Sequence, residues 1–209
     1  NEMFLNAGEA IRERQAGRLD LLLPHTLPFN STGVVLNNFL IPVLADIFHG
    51  KKFELKSAHT VTSLPGTASQ HWHRDDAPLF HENAAFRPST YAINAFVALD
   101  KVRPEEGPTE YLLGSHVQSH SSVKAALGGE HVAAVFEWPR GSVVLMDYRT
   151  VHRGGENSSP STRTLAMLVY GLDWWRDAVN YMGDNYGGAQ RPDPQQLGSE
   201  HGRVVSRRI

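Results

Sequence analysis

From residue 52 to residue 172 the sequence is a succession of short apolar runs separated by turn residues. The separators read LPGT, RPEEGPT, LGG, PRGS and GGENSSPS. Short apolar runs bounded by Gly, Pro, Asn and Ser are typical of strands. Many short strands in series favour a β-sandwich or a β-barrel. We predict strands at residues 53–64, 69–75, 91–100, 132–138, 142–147 and 163–172.

The segments that flank this region have other patterns. Residues 3–15 and 37–48 place apolar side chains at helical spacing, so residues 1–50 are predicted to be helical. Residues 176–209 lack a core pattern and are rich in Gly, Pro, Gln and Arg, which predicts a loop, a lid or a disordered tail. A chain of 209 residues fits one domain. Its β core is then residues 52–175, and the fold class is mainly β with flanking helices.

The composition excludes several classes of protein. The chain has no cysteine, which excludes disulfide scaffolds, thiolate zinc sites and cysteine nucleophiles and suits a reducing cytosol. A net charge of -2 gives no overall attraction to nucleic acid or to an acidic membrane. No apolar run approaches the roughly 18 residues of a membrane span, and no signal peptide is visible. We expect a cytoplasmic protein that binds neither nucleic acid nor membrane, with a homodimer left open.

The segment QHWHRDD at residues 70–76 contains several side chains that can bind a metal. On a strand, alternate side chains share a face, so His73 and Asp75 are predicted to point the same way. An imidazole and a carboxylate side by side supply two of the three ligands in the facial triad that binds Fe(II). A second histidine on a neighbouring strand is therefore required.

His152 is the best candidate for this third ligand. It follows the apolar strand predicted at residues 142–147 and stands just before a glycine pair. Arg163 opens the next predicted strand, so it is expected near the same cavity. An arginine beside a metal pocket suits the distal carboxylate of a dicarboxylate ligand, which it can hold by two parallel hydrogen bonds.

These residues occur in an order that resembles a known family. The pattern His73-x-Asp75, then His152, then Arg163 resembles the Fe(II)/2-oxoglutarate dioxygenases of the phytanoyl-CoA dioxygenase type. The segments PGTASQHWHRDD, EEGPTEYLLGSH and GSVVLMDYRTVHRGGEN resemble that family's stretches around its functional residues, with Leu113 where proline is usual. The resemblance extends over about half of the chain, from residue 64 to residue 171.

The resemblance implies a double-stranded β-helix, or jelly-roll, core and an oxygenase activity. Its cofactors would be Fe(II), the co-substrate 2-oxoglutarate and O2, with succinate and CO2 released. The substrate would be a small organic molecule, most often hydroxylated, and the motifs are closest to those of members that tailor natural products. Residue by residue, His73, Asp75 and His152 would bind iron at the catalytic centre. Arg163 would bind the C5 carboxylate of 2-oxoglutarate.

Two further residues are implied to contact the co-substrate. Gln70 matches a glutamine three positions before the family's first histidine, and Thr109 matches the threonine of a Gly-x-Thr segment. Strict strand alternation would place Gln70 on the face opposite His73, so this role requires a bulge or a twist between them. Position 154 is a glycine where some relatives have a serine that binds the co-substrate.

Two other functions stay open from the sequence. The first is a zinc-type hydrolase or isomerase, which would need an acid or base beside the metal and would not explain Arg163. The second is a metal-binding jelly roll without catalysis. A halogenase is disfavoured because Asp75 would occupy the site that chloride needs. Trp174 and Trp175 fit either the core or the wall of a substrate pocket.

Overall fold

The computed structural model describes residues 11–23, 27–76, 79–80, 88–127, 137–177 and 180. The strands are β1 Ile11–Gln15, β2 Arg18–Leu22, β3 Phe53–Ser63, β4 Ala92–Ala98, β5 Thr109–Tyr111, β6 Val143–Asp147, β7 His152–Gly154 and β8 Arg163–Leu172. The helices are α1 Thr32–Val35, α2 Leu40–Ile47 and α3 His120–Leu127.

The strands form two antiparallel sheets. The large sheet has the order β1-β2-β3-β8-β4-β6, and the small sheet pairs β5 with β7. Side chains of the large sheet reach the small one, as where Nη2 of Arg18 on β2 donates to the carbonyl of Gly154 on β7, 3.2 Å away. The two sheets are the layers of a jelly-roll core, and the predicted fold class is confirmed.

The centre of the large sheet is a continuous apolar layer because β4 and β8 carry hydrophobic residues on both faces. Leu165, Val169 and Tyr170 on β8 are fully buried, and Ala95 on β4 is buried with them. Burial of such Leu and Val side chains stabilises a fold by roughly 1.5–3 kcal/mol each. Trp175 also belongs to this core, whereas the neighbouring Trp174 is 58% exposed.

The helical prediction for the N-terminus is wrong where the structure describes it. Residues 11–22 form the hairpin β1–β2, which turns at Gly17 with a positive φ of 75°. The whole of β2 pairs with β3, and its sequence RLDLL alternates polar and apolar residues as a strand does. Residues 1–10, with the first apolar residues of the predicted helix, lie outside the described residues.

The second predicted helix is confirmed in a shorter form. It was expected at residues 37–48 and is α2, Leu40–Ile47. Oδ1 of Asn37 accepts hydrogen bonds from the backbone N–H groups of Phe39 and Leu40, at 2.9 and 3.3 Å. The asparagine therefore caps the start of the helix as its sequence position predicts. No helix among the described ranges is long and apolar enough to cross a membrane.

Four of the six predicted strands are confirmed within about two residues, namely 53–64, 91–100, 142–147 and 163–172. Residues 69–75 are not a regular strand, since only His73 forms a bridge, to His152. In the segment predicted at 132–138, Trp138 bridges to Val102, but residues 128–136 are outside the described part. The predicted C-terminal loop or lid also lies beyond it from residue 181 onward.

The end of β6 is held by a partly buried ion pair between Asp147 and Arg149. Nε and Nη2 of Arg149 donate to the two carboxylate oxygens of Asp147, at 2.8 and 2.7 Å. Nη1 of Arg149 also donates to the carbonyl of Pro88. Burial alone would raise the pKa of Asp147, but the hydrogen bonds from Arg149 and Thr90 outweigh it and lower the pKa.

We therefore predict that Arg149→Leu destabilises the protein by about 3 kcal/mol at neutral pH, because it leaves the largely buried carboxylate of Asp147 without its cation. Since the folded-state pKa of Asp147 is lowered, the pair stabilises the protein above the ordinary Asp pKa of about 3.9 and loses that effect as the pH falls below it. Urea unfolding at several pH values measures both effects. Lys101→Ala is the control: it removes a pair whose side chains are each 50% exposed, and should cost less than about 1 kcal/mol. Equal losses in the two variants would contradict the prediction.

Candidate active site

Three side chains from two segments of the chain converge between the sheets. His73, Asp75 and His152 form a cluster whose ligand atoms all lie within 4.8 Å of one another. Oδ1 of Asp75 lies 3.9 Å from Nε2 of His73 and 3.7 Å from Nε2 of His152. Metal–ligand bonds of about 2.1 Å place the ligands of one ion at comparable separations after small side-chain rotations. The sequence-predicted triad is thus brought together.

The backbone brings the two histidines together. His73 and His152 exchange both backbone hydrogen bonds, at 3.0 and 2.9 Å, so the segment around residue 73 runs beside β7. Residues directly opposite each other in such a pair present side chains on the same face. The imidazole centroids are accordingly 4.5 Å apart. Asp75, two residues after His73, places its carboxylate beside the two imidazoles.

Each histidine has its Nδ1 fixed by a backbone carbonyl. Nδ1 of His73 lies 2.9 Å from the carbonyl oxygen of His71, and Nδ1 of His152 lies 3.0 Å from that of Thr150. A carbonyl oxygen can only accept, so Nδ1 carries the proton in both rings and Nε2 keeps its lone pair. Burial and the nearby His152 lower the pKa of His73, which further favours the neutral form that a metal requires.

Asp75 is oriented by two asparagines that the sequence did not single out. Nδ2 of Asn94, on β4, donates to Oδ2 of Asp75 at 2.5 Å, which leaves Oδ1 facing the histidines. Nδ2 of Asn180 donates to the backbone carbonyl of Asp75 at 2.8 Å. Such supporting contacts fix the direction of a metal ligand. Asn94 faces inward on a predicted strand, so its burial could be predicted from the sequence. Its hydrogen bond to Asp75 could not, because the two residues lie in separate segments.

Arg163 lies on the inner face of the large sheet with an incomplete set of partners. Its side chain is buried at 5% exposure, and Nη2 donates to the carbonyl of Gly107. Its Nε is buried and has no hydrogen-bond partner among the residues that the structure describes. Burial, and then the neighbouring Arg18, lower the pKa of Arg163 to about 10. The guanidinium is therefore charged at neutral pH and has a donor available for an anion.

Two other arginines near the centre are occupied. Arg74 donates to the backbone carbonyls of Arg149, Ser115 and Gln118, at 2.8 to 3.1 Å. Nε of Arg153 donates to Glu110 at 2.7 Å, and its guanidinium stacks over the ring of Trp72. Their contacts brace the loops around the triad.

Gln70 and Thr109 both lie along β7, beside Gly154. The backbone N–H of Gln70 donates to the carbonyl of Gly154, and Oε1 of Gln70 accepts the N–H of Gly154, each at 2.9 Å. Gln70 lies opposite Gly154, and His73 lies opposite His152. The segment from 70 to 73 therefore has one residue more than the stretch of β7 that it faces. This extra residue is the irregularity that the role of Gln70 required. Thr109 pairs with Gly154 from the other side, on β5.

Tyr111 is a residue of the site that the sequence reasoning missed. It pairs with His152 across the small sheet and shares the face of Thr109, two positions earlier. Burial raises the pKa of Tyr111 well above its usual value, so its phenol is neutral, and Arg163 lies near enough to influence it. Tyr111 could have been predicted from Thr109, because residues two positions apart on a strand share a face. His71, His116 and His120, which lie in or near the same motifs, are outside the metal cluster.

The fold and the cluster define a jelly-roll protein with a centre of two histidines and one carboxylate. Residues 36–165, more than half of the chain, match the model of the phytanoyl-CoA dioxygenase (PhyH) family. The chain belongs to this family.

Individual relatives agree with the family match. Dioxygenase easH of Epichloe festucae var. lolii is 31% identical over 107 residues, which are 50% of this chain and 56% of that protein. Dioxygenase hkm4 of Aspergillus hancockii is 32% identical over 119 residues, 55% of this chain and 37% of that protein. The chain thus spans about half or less of the length of these curated relatives.

A solved structure extends the likeness over more of the chain. HygX of Streptomyces hygroscopicus, with nickel, 2-oxoglutarate and hygromycin B bound, aligns with a TM-score of 0.61 at 15% identity. The alignment covers 84% of this chain and 79% of HygX. At this identity the likeness establishes the shared fold.

Proposed function

We propose that this protein is an Fe(II)- and 2-oxoglutarate-dependent dioxygenase that oxidises a small organic substrate, with release of succinate and CO2. The observation that carries the proposal is the cluster of His73, Asp75 and His152, in which both Nε2 atoms face one carboxylate oxygen. Two imidazoles and a carboxylate are the donor set of non-haem Fe(II) oxygenases. Membership of the PhyH family supports the same reaction.

The surrounding residues fit this co-substrate as well as the metal. Bound iron, with 2-oxoglutarate, supplies the activation of O2 that no side chain can perform. The protein's part is to hold the metal through three ligands and to orient the dicarboxylate. Arg163 is suited to the far carboxylate because its Nε is buried and no residue that the structure describes accepts a hydrogen bond from it. Gln70 and Thr109 lie on either side of Gly154. We propose that they line the space between the metal ligands and Arg163.

A small-molecule substrate is supported by a cavity next to the triad. The cavity has a volume of about 350 Å³ and is bordered by Trp72, His73 and Val151 together with residues of α3. This volume is within the range typical of small-molecule sites, roughly 300–1,000 Å³. HygX binds hygromycin B on a similar fold, and the fungal relatives are dioxygenases. We therefore propose that the substrate is a natural product and that hydroxylation is the usual outcome.

The proposal is tested by a colour change that needs no knowledge of the substrate. Under nitrogen, protein given Fe(II) and then 2-oxoglutarate should develop a weak visible absorption, because the chelating keto acid accepts charge from the metal. Succinate, which lacks the keto group, should give no band, and neither should Zn(II), whose d shell is filled. Admitting air should bleach the band slowly.

The zinc alternative predicts the opposite result. Absence of the band at every iron loading, together with tight zinc binding and hydrolysis of an ester or amide, would overturn the dioxygenase proposal. A metal-binding jelly roll without catalysis would bind iron but release no succinate from 2-oxoglutarate in air. The three functions are thus separated by the band and by succinate formation.

A further inference from the structure

The backbone holds the three residues of the triad unequally. His152 lies on β7, and His73 exchanges two backbone hydrogen bonds with it. Asp75 lies two residues beyond this bridge and makes no backbone-to-backbone hydrogen bond within the described ranges. The direction of its carboxylate therefore depends on side chains that reach it from elsewhere in the fold.

One of these side chains comes from the C-terminal segment. Residue 180 lies in the part of the chain that the sequence predicts to be a loop or a lid. Nδ2 of Asn180 donates to the backbone carbonyl of Asp75 at 2.8 Å and to the phenol oxygen of Tyr148 at 3.0 Å. An amide nitrogen has two hydrogens, so both are used. The Asp75 carbonyl can only accept, which fixes the orientation of the Asn180 amide.

Tyr148 and Asp177 hold Asn180 in this position. The Tyr148 hydroxyl donates to Oδ2 of Asp177 at 2.6 Å, and the backbone N–H of Asn180 donates to Oδ1 of the same carboxylate at 2.8 Å. A carboxylate only accepts, so the phenol directs its hydrogen to Asp177 and its oxygen can accept from the Asn180 amide. These groups form one continuous chain of hydrogen bonds that ends at Asp75.

The far end of this chain is buried in the fold. Tyr148 directly follows β6 and is 1% exposed, and its backbone N–H donates to the carbonyl of Ala92. Its ring packs edge-on against the indole of Trp175, with centroids 4.9 Å apart. Asp177 is buried as well. Removing one partner of a buried hydrogen bond leaves the other unsatisfied, so these contacts resist rearrangement.

We propose that Asn180, held by Tyr148 and Asp177, is a positioning residue for the metal centre, which acts by fixing the backbone of Asp75. The inference rests on the proposed function and deepens it, because it makes the segment after β8 part of the site. Asn94 holds the carboxylate from β4, and Asn180 holds the main chain behind it. The metal ligand that lies beyond the bridge to β7 is thus fixed from both ends.

The test is a titration of the metal-free protein with Co(II) under nitrogen, because the visible bands of Co(II) report both its affinity and the geometry of its ligands. Asn180→Leu, which keeps the shape of the side chain but cannot donate, should weaken Co(II) binding about tenfold and alter the bands. Tyr148→Phe, which keeps the ring, should weaken it about threefold. Arg176→Ala is the matched control. Arg176 is in the same segment and donates to the carbonyls of Asp173 and Trp175, so its loss should change the affinity by less than about twofold.

A double substitution separates a connected chain from independent effects. Because Tyr148 acts on Asp75 through Asn180, Tyr148→Phe should have little further effect on Co(II) affinity in Asn180→Leu. Additive losses would overturn the inference.

A purely structural role predicts a different result. A contact that only orders the C-terminal segment would lower the free energy of unfolding of the metal-free protein in urea, and the folded protein would keep its Co(II) affinity and bands. Reduced stability with native Co(II) binding in Asn180→Leu would therefore contradict the proposal. Tyr148→Phe, the smaller change, provides the same comparison if Asn180→Leu does not fold.

The outcomes also separate this inference from the proposed function. If the native protein binds neither Co(II) nor Fe(II), both fail. If the native protein forms succinate and Asn180→Leu binds Co(II) as the native protein does, the dioxygenase proposal stands and Asn180 has no positioning role. If the variants behave as expected but no succinate forms, the positioning of the metal stands and the dioxygenase proposal fails.

Discussion

His152→Ala is expected to abolish succinate formation while the protein remains folded. The substitution removes one of three proposed metal ligands, and the backbone bonds between residues 152 and 73 are kept. Loss of a partner that merely supports a ligand costs about 10- to 100-fold in metal affinity or activity, so loss of the ligand itself should cost more. Iron retained after desalting and succinate released in air are the measurements. His73→Ala and Asp75→Ala should behave alike.

His71→Ala is the matched control for this prediction. His71 is exposed and lies outside the metal cluster, although its ring is 5.4 Å from that of His73. Its backbone carbonyl, which orients His73, is unchanged by the substitution. Near-native turnover is therefore expected. Native turnover in His152→Ala, or loss of iron in His71→Ala, would show that the triad is wrongly assigned.

Arg163→Leu is expected to raise the 2-oxoglutarate requirement sharply with little change in iron affinity. Removing one partner of a buried charge pair costs roughly 2–5 kcal/mol, which is about 30-fold or more in the co-substrate concentration needed. The Arg163 side chain is buried, and its Nε has no hydrogen-bond partner within the described part of the chain, so water cannot replace it easily. Succinate formation as a function of 2-oxoglutarate concentration gives the effect.

Arg153→Leu serves as the comparison. Arg153 lies on the same small sheet but is paired with Glu110 and stacked on Trp72. We expect it to change the 2-oxoglutarate requirement by less than about threefold, because its guanidinium already has the Glu110 carboxylate as its partner. The assignment of Arg163 is contradicted if both variants keep the native requirement, or if Arg153→Leu has the larger effect.

The strands and the triad could be predicted because each depends on a local pattern. Apolar runs bounded by turn residues marked β3, β4, β6 and β8 to within about two residues. His73 and Asp75 were paired through the two-residue period of a strand, although residues 69–75 form only one bridge. His73 and Asp75 still lie in one cluster because the isolated bridge between residues 73 and 152 gives this segment the local geometry of a strand.

What could not be predicted depends on contacts between distant segments. The sequence pattern predicts a helix where the N-terminal hairpin lies, because the hairpin becomes a strand pair only through its pairing with β3, about forty residues later. The support of Asp75 by Asn94, and the position of Arg18 over Gly154, join residues that no sequence spacing connects. Gly154 looked like the loss of a contact in the sequence, and the structure instead gives it a steric role.

The hairpin β1–β2 lies outside the region that matches the family, which begins at residue 36. A chain that started there would leave residues 59–63 of β3 without their neighbour, because β2 covers this stretch. Long unpaired strand edges invite pairing with other molecules and lead to aggregation. The smallest piece that folds without exposing this edge of β3 should therefore include the hairpin and begin no later than Ile11, so family boundaries are a poor guide to expressing this protein in fragments.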